Sequence, residues 1–156
     1  MEILIKKAEK KDLRQILELQ YLAYQSEAKL LNNFSIPPLK QTLEEIEQEY
    51  KSGFVFFKGI DEKNSIIGSV RAYIDNGVAY IGKLIVHPKK QGKGIGAKLL
   101  LEIEQECQVE RYELFTSDKS IRNIRLYERL GYIKFKEQKA DGFAFVYLEK
   151  YAYKVK

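Results

Sequence analysis

The chain opens with a short alternation of apolar and polar residues from Glu2 to Ala8, the two-residue period of a strand. The period then lengthens. Leu13, Ile16, Leu17, Leu19 and Gln20 recur at helical spacing behind Asp12, which is placed to cap a helix running to Tyr24 or beyond. Asn32 to Pro38 (NNFSIPP) ends that pattern, because two prolines forbid a continuous helix. Thr42 followed by Glu45 is a capping box, and the helix it starts should close near Gly53.

The middle of the chain reads as an antiparallel meander. Phe54 to Ile60 is apolar and aromatic, residues 61–64 form a turn, and Ser65 to Ile74 is a second strand. Asn76-Gly77 supports the positive φ of a tight hairpin, so Val78 to Val86 returns as a third. Beyond a glycine-rich stretch, Ile95, Leu99, Leu100, Ile103 and Cys107 form the buried stripe of a helix. Tyr112 to Thr116 is a short strand. Ser117-Asp118 is read as the cap of a helix over 119–130, and Gly131 stands where a left-handed C-terminal cap is needed. Ile133 to Lys136 and Phe143 to Tyr151 complete the strands. The order β-α-α-β-β-β-α-β-α-β-β predicts an α/β (mixed α+β) architecture with helices on both faces of a mixed sheet.

Composition adjusts this picture only slightly. The length of 156 residues predicts one domain over 1–156, with 45% hydrophobic and 31% charged residues, as in an ordinary globule. A balance of 27 basic against 22 acidic residues is mildly basic. No interleaved aromatic–basic RNA motif accompanies it, so nucleic acid is not an expected partner. A single Cys and a single His exclude an internal disulfide and make a metal site built from those residues implausible. No apolar run approaches membrane-spanning length, and a reduced cytoplasmic location is the default expectation.

The chemistry concentrates in VHPKKQGKGIGAK, residues 86–98. Glycines before a helix let backbone N–H groups approach a ligand, and the helix N-terminus adds partial positive charge. Together with Lys89, Lys90, Lys93 and Lys98 they describe an anion site; a surface turn with solvated lysines is the plain alternative. A P-loop fails because Ala97, five residues after Gly92, stands where its second glycine is required. Gly92-x-Gly94-x-x-Ala97 fits a dinucleotide fingerprint formally, but five residues separate strand from glycine and a hairpin precedes the strand. The remaining match is Gln91-Gly92-Lys93-Gly94-Ile95-Gly96, a Gln/Arg-x-x-Gly-x-Gly/Ala motif. With the strand Tyr80 to Pro88 before it and Asn123-Ile124-Arg125-Leu126-Tyr127-Glu128-Arg129-Leu130-Gly131-Tyr132 after it, the chain resembles the GNAT superfamily of N-acetyltransferases over nearly its whole length.

That resemblance implies a mostly antiparallel twisted sheet of about seven strands flanked by about four helices. It also implies acetyl-coenzyme A as cosubstrate, no metal, and a small-molecule or peptide amine as acceptor. Loop amides from Gln91, Gly92, Lys93, Gly94, Ile95, Gly96 and Ala97 would bind the diphosphate. Leu84, Ile85 and Val86 would pair with the pantetheine arm where their strand splays from its neighbour. Asn123 would face the arm, and Tyr127, four residues on and stacked on the same helical face, would lie near the sulfur as general acid. Family members often dimerise, so a homodimer is an expectation too.

For the acceptor wall, Tyr21, Tyr24, Glu27 and Phe34 are the candidates, with Ile36-Pro37-Pro38 stiffening the loop. Aromatics beside an acid suit an amine with an apolar body; packing of Tyr21 and Tyr24 as a plain helix face, and a solvated Glu27, are equally consistent with the sequence. Arg122, Arg125 and Arg129 share a helix with Tyr127, within reach of a phosphate. No general base is evident: Val78 to Val86 carries Tyr80 and Lys83 but no acid, and His87 reads as part of a turn. A catalytically silent acyl-coenzyme A sensor of the same fold is the competing function.

Overall fold

The computed structural model describes residues 2–152; Met1 and residues 153–156, included in the one-domain expectation, lie outside the described residues. Seven strands form one sheet in the order β1-β2-β3-β4-β5-β7-β6. They are β1 (Leu4–Lys7), β2 (Val55–Ile60), β3 (Ile66–Asp75), β4 (Val78–Val86), β5 (Arg111–Ser117), β6 (Ile133–Lys139) and β7 (Ala144–Tyr151). Among the described residues every pairing is antiparallel except β4 with β5.

Helices cover both faces. Phe56 and Phe57 are neighbours on β2 and point to opposite sides, as successive strand residues must. Phe57 joins a core with Leu99, Leu100 and Ile103 of α5 (Ile95–Glu106). Phe56 packs with Ile16 and Leu17 of α1 (Leu13–Ala23) and Ile46 of α4 (Leu43–Lys51). Cys107, at the end of the α5 stripe, is a buried free thiol in the first core.

The hairpin at Asn76-Gly77 has positive φ at both residues, 50° and 76°, the primed turn that suits the twist of β3 and β4. The Thr42–Glu45 box is formed in both directions, at 3.1 and 2.9 Å. Gly131 takes φ 97° behind α6 (Ile121–Arg129).

The structure departs from the sequence reading at helix ends. Asp12 does not cap α1. A 3-10 turn at Lys10–Asp12 precedes the helix, and the carboxylate accepts from the Glu9 amide and the Lys58 ammonium, both at 2.8 Å. After α1 the chain kinks at Tyr24 and continues as α2 (Gln25–Leu31), which Asn32 ends in the left-handed region. Pro37 and Pro38 start a four-residue helix, α3 (Pro37–Lys40), instead of only stiffening a loop, because a proline at the first helical position gives up no hydrogen bond. The longer helices are thus four, with two short ones added. Ser117 closes β5 instead of capping α6, and Asp118 accepts from the Ala144 amide at 3.2 Å.

α5 lies close on the sheet at Gly68. A β-carbon there would sit 2.9 Å from Leu99 Cδ1 and 3.2 Å from the Ile85 carbonyl oxygen. Gly68→Ala should destabilise the fold by about 1–3 kcal/mol, the range for overpacking a filled core; a urea midpoint equal to wild type would contradict this packing.

Candidate active site

The parallel ladder between β4 and β5 is short. Val78, Ala79 and Tyr80 pair with Arg111, Tyr112 and Glu113, and β4 has no β5 partner beyond Tyr80. On its other side β4 carries an extra residue: Ser69 faces Ile85 while Arg71 faces Gly82. Lys83, within that bulge, has φ 51°, a left-handed conformation that side chains with a β-carbon adopt rarely. A bulge bends its strand and raises local twist. The result is a cleft of about 730 Å³ between the two strands.

Leu84, Ile85 and Val86 line one wall of this cleft, and Leu114, Thr116 and Ser117 line the other. At its mouth the chain leaves β4 through a 3-10 turn at Pro88–Lys90, in which His87 Nδ1 accepts from the Lys89 amide at 3.1 Å. Gly92 and Gly94 then take φ 78° and 79°, and Gly94 is the N-cap of α5. The first α-helical bond to Gly94 comes from Lys98, so the amides of Gly92 through Ala97 have no partner among the described residues. Bare amides at a helix start are an anion site. Gln91, Gly92, Gly94, Ile95, Gly96 and Ala97 reach the cleft; Lys93 does not. The Ile95 side chain itself is buried in the core. Gly96 serves close packing, since a β-carbon there would lie 3.4 Å from Leu126 Cδ2. Arg122 on α6 donates to the Gln91 side chain at 2.6 Å and also borders the cleft, as does Arg129, whereas Arg125 does not.

At the inner end Asn123 and Tyr127 share a face of α6 and both line the cleft. Asn123 donates to Thr116 Oγ1 at 3.4 Å. Tyr127 is buried, and its hydroxyl has no hydrogen-bond partner among the described residues. Burial pushes its phenol well above the ordinary range, with Tyr24 and Glu27 adding to the shift. Burial also pushes Tyr24 up to about 12, against the opposing Arg71 charge, with Glu27 contributing.

Of the expected acceptor residues, Tyr24 and Glu27 line the cleft. The Glu27 carboxylate accepts from the Ser120 hydroxyl, a contact that joins α2 to the start of α6. Tyr21 and Phe34 stand outside it: Tyr21 donates to the Gln41 carbonyl and packs on the α1–α4 core, and Phe34 is exposed. The sequence reading passed over Phe115, Phe143 and Phe145, which line the cleft in edge-to-face contact, with ring centroids 5.5 and 5.0 Å apart. Their signal was present in Phe143 and Phe145, two apart in the strand expected over Phe143 to Tyr151 and therefore on one face of it. It also passed over Lys83 as a site residue and over Ser120.

The family model of the GNAT acetyltransferases matches residues 4–132. The chain belongs to that family. Among relatives, it is 28% identical over 128 residues to the UPF0157 protein YqkA of Bacillus subtilis, covering 81% of this chain and 36% of YqkA. It is 28% identical over 97 residues to the uncharacterised N-acetyltransferase ycf52 of Gracilaria tenuistipitata var. liui, covering 62% of this chain and 53% of ycf52. The chain therefore spans only about a third to a half of these two relatives. In fold it matches the PaiA N-acetyltransferase of Thermoplasma acidophilum in complex with coenzyme A, with a TM-score of 0.79 at 21% identity, covering 97% of this chain and 100% of that one. The GNAT sheet and the mixed α/β class expected from the sequence are present. Among the described residues no helix is long and apolar enough to cross a membrane.

Burial leaves a readable signature in the phenols, of which Tyr24 and Tyr127 line the cleft. Tyr24, Tyr112, Tyr127 and Tyr132 are all raised by burial. In the unfolded chain they ionise near 10. The folded state binds those protons more tightly, so stability is intact below about pH 10 and falls as pH rises through about 12. Urea midpoints should drop between about pH 10 and about pH 12, and phenolate absorbance should lag behind that of the unfolded chain. A single phenol titration near 10 would contradict the burial.

Proposed function

We propose that the protein is an acetyl-coenzyme A-dependent N-acetyltransferase that acetylates a primary amine by direct attack. The observation that carries this is one cleft with unpartnered amides at its mouth and an unpartnered phenol at its inner end. Glycine at 92 and 94 leaves no β-carbon between those amides and a diphosphate. The amides, the α5 N-terminus and Arg122 would hold that anion. Backbone groups of Leu84, Ile85 and Val86, free on the β5 side, would pair with the extended arm. When bound, acetyl-coenzyme A supplies the activated thioester.

The chain's own residues then divide the work. A main-chain N–H of the β4 edge aimed at the thioester carbonyl stabilises the oxygen as it gains charge. The Glu27 carboxylate orients the incoming ammonium and is placed to receive its proton. Tyr127 presents its hydroxyl to the sulfur. Its raised pKa keeps it a phenol throughout the neutral range, always ready as a donor. The same shift makes complete proton transfer uphill towards a thiolate whose acid has a pKa of about 8.5, if it resembles a cysteine thiol. Its contribution is therefore a hydrogen bond that strengthens as charge moves onto sulfur, with solvent completing the protonation. GNAT acceptors include small-molecule and protein amines, and either class is compatible with this arrangement.

Thiol release should be observed with acetyl-coenzyme A and a panel of primary amines. Tyr127→Phe should lower kcat by about a hundredfold or more, the scale of general acid catalysis, while the acetyl-coenzyme A dissociation constant stays within about threefold because binding does not depend on that hydroxyl. Equal turnover would remove the assignment of Tyr127, and tight coenzyme binding without thiol release from any amine would favour the sensor reading. Gly94→Ala, which forces a β-carbon into φ 79°, should weaken coenzyme binding by about tenfold or more, since such strain amounts to about 1–3 kcal/mol. Unchanged affinity would place the diphosphate elsewhere.

A further inference from the structure

A second cavity of about 500 Å³ adjoins the cleft. The two share Ser35, Pro37 and Lys83, so Lys83 stands at their junction. The second cavity is otherwise bordered by Lys40, Gln41, Glu45 and Glu49. Its formal charges look balanced, but its carboxylates are already engaged. Glu49 receives the buried Arg71 guanidinium at 2.5 Å and the Gln41 amide at 3.0 Å. Glu45 accepts from the Thr42 amide at 2.9 Å. Gln41 is fixed in turn by the amide of the fully buried Gln20, at 2.9 Å. Arg71 also donates to Gln20, and its Nε is the buried side-chain polar atom left without a partner among the described residues.

The two lysines are not engaged. Among the described residues neither the Lys83 nor the Lys40 ammonium has a hydrogen bond or ion pair. Burial and the neighbouring Arg71 charge hold the Lys83 ammonium below the usual lysine range, against Glu49. A half-buried cation beside a second cation is an unfavourable arrangement that an anion between them relieves. The left-handed backbone of Lys83 adds strain at the same point. Residues held in such conformations concentrate at ligand sites.

We propose that this second cavity receives an anionic group carried by the acceptor, so that the substrate is an amine bearing a carboxylate or phosphate. This deepens the acetyltransferase reading and rests on it. The amine lies in the main cleft, between Glu27 and Tyr127, and the anionic end passes Lys83 towards Lys40. Lys83 is a specificity residue here, and it takes no part in bond making. In the reaction itself the acceptor nitrogen forms the amide bond to the acetyl carbon, the carbon–sulfur bond breaks, and the thiol leaves with one proton.

Matched amines decide the matter: β-alanine against propylamine, and O-phosphoethanolamine against ethanolamine, with the carboxylate and phosphate arms separating the two anions. The anionic member of at least one pair should show kcat/KM higher by about tenfold to a hundredfold, the scale of a charge-assisted hydrogen bond. Lys83→Met should raise KM for that acceptor by about the same factor, raise it more than for the neutral partner, and be largely reversed in Lys83→Arg. Preference for the neutral member of both pairs, or an unchanged acceptor KM in Lys83→Met, overturns the inference and leaves the acetyltransferase reading standing. Should no amine release thiol, that reading falls instead, and the pocket is judged by calorimetry. N-acetyl-β-alanine should bind the coenzyme A complex about tenfold more weakly in Lys83→Met than in wild type; equal binding overturns the proposal.

Discussion

The interrupted ladder between β4 and β5 is the constraint on which the rest of the molecule depends. A parallel pair fully hydrogen-bonded along nine residues would leave nothing between the strands but side chains. Here the pairing stops at Tyr80, and beyond it the main-chain groups on the β5 side of β4 face a gap. An unpaired edge inside a fold is costly unless water or a ligand satisfies it. The bulge at Lys83 makes the divergence structural, because the extra residue turns β4 away while its pairing with β3 resumes at Ile85. α5 and α6 then close the two ends, one with free amides and the other with a phenol.

Holding two strands apart requires supports on the far side, and the buried polar network supplies them. Arg71 on β3 reaches Glu49 on α4 and Gln20 on α1, while its guanidinium lies 4.9 Å from the Phe56 ring centroid. Gln20 continues to the Pro38 carbonyl at 2.9 Å, fixing the short helix that borders both cavities. Removing one partner from such a network leaves the others desolvated, so its members act as a unit. The side of the cleft bordered by Pro37 and Pro38 is thus tied to this network even though α3 is short. The Glu27–Ser120 contact ties α2 to α6 across the opening, between residues 93 positions apart in sequence.

Much of this was legible in the chain. The glycine loop, the Asn76-Gly77 hairpin and the Asn123–Tyr127 pair announce themselves through local rules: positive φ, primed-turn chemistry and helical spacing. The family motif singled out Tyr127 among 11 tyrosines, something periodicity alone could not do. What escaped was set by tertiary contact. Nothing in Gly82-Lys83-Leu84 signals a left-handed lysine, since the conformation is imposed by the register slip against β3. Asp12 looks like a cap because Asp usually is one; Lys58, brought alongside by β2, claims its carboxylate. Tyr21 stands three positions before Tyr24 and Phe34 ten after it, yet of the three only Tyr24 lines the cleft. The α3 prolines read as breakers because a proline starts a helix only where the residues after it can carry the helix on.

The electrical profile of the cleft argues for a fixed direction of binding. Partial positive charge sits at the α5 mouth, joined by Arg122 and Arg129. The middle is apolar and aromatic, lined by Phe115, Phe145 and Ile85. Negative charge returns at Glu27, and positive charge again at Lys83. A ligand with a diphosphate at one end and a neutral chain behind it fits that sequence of potentials one way round only; reversed, its phosphates would meet Glu27 in a desolvated site, where like charges repel strongly.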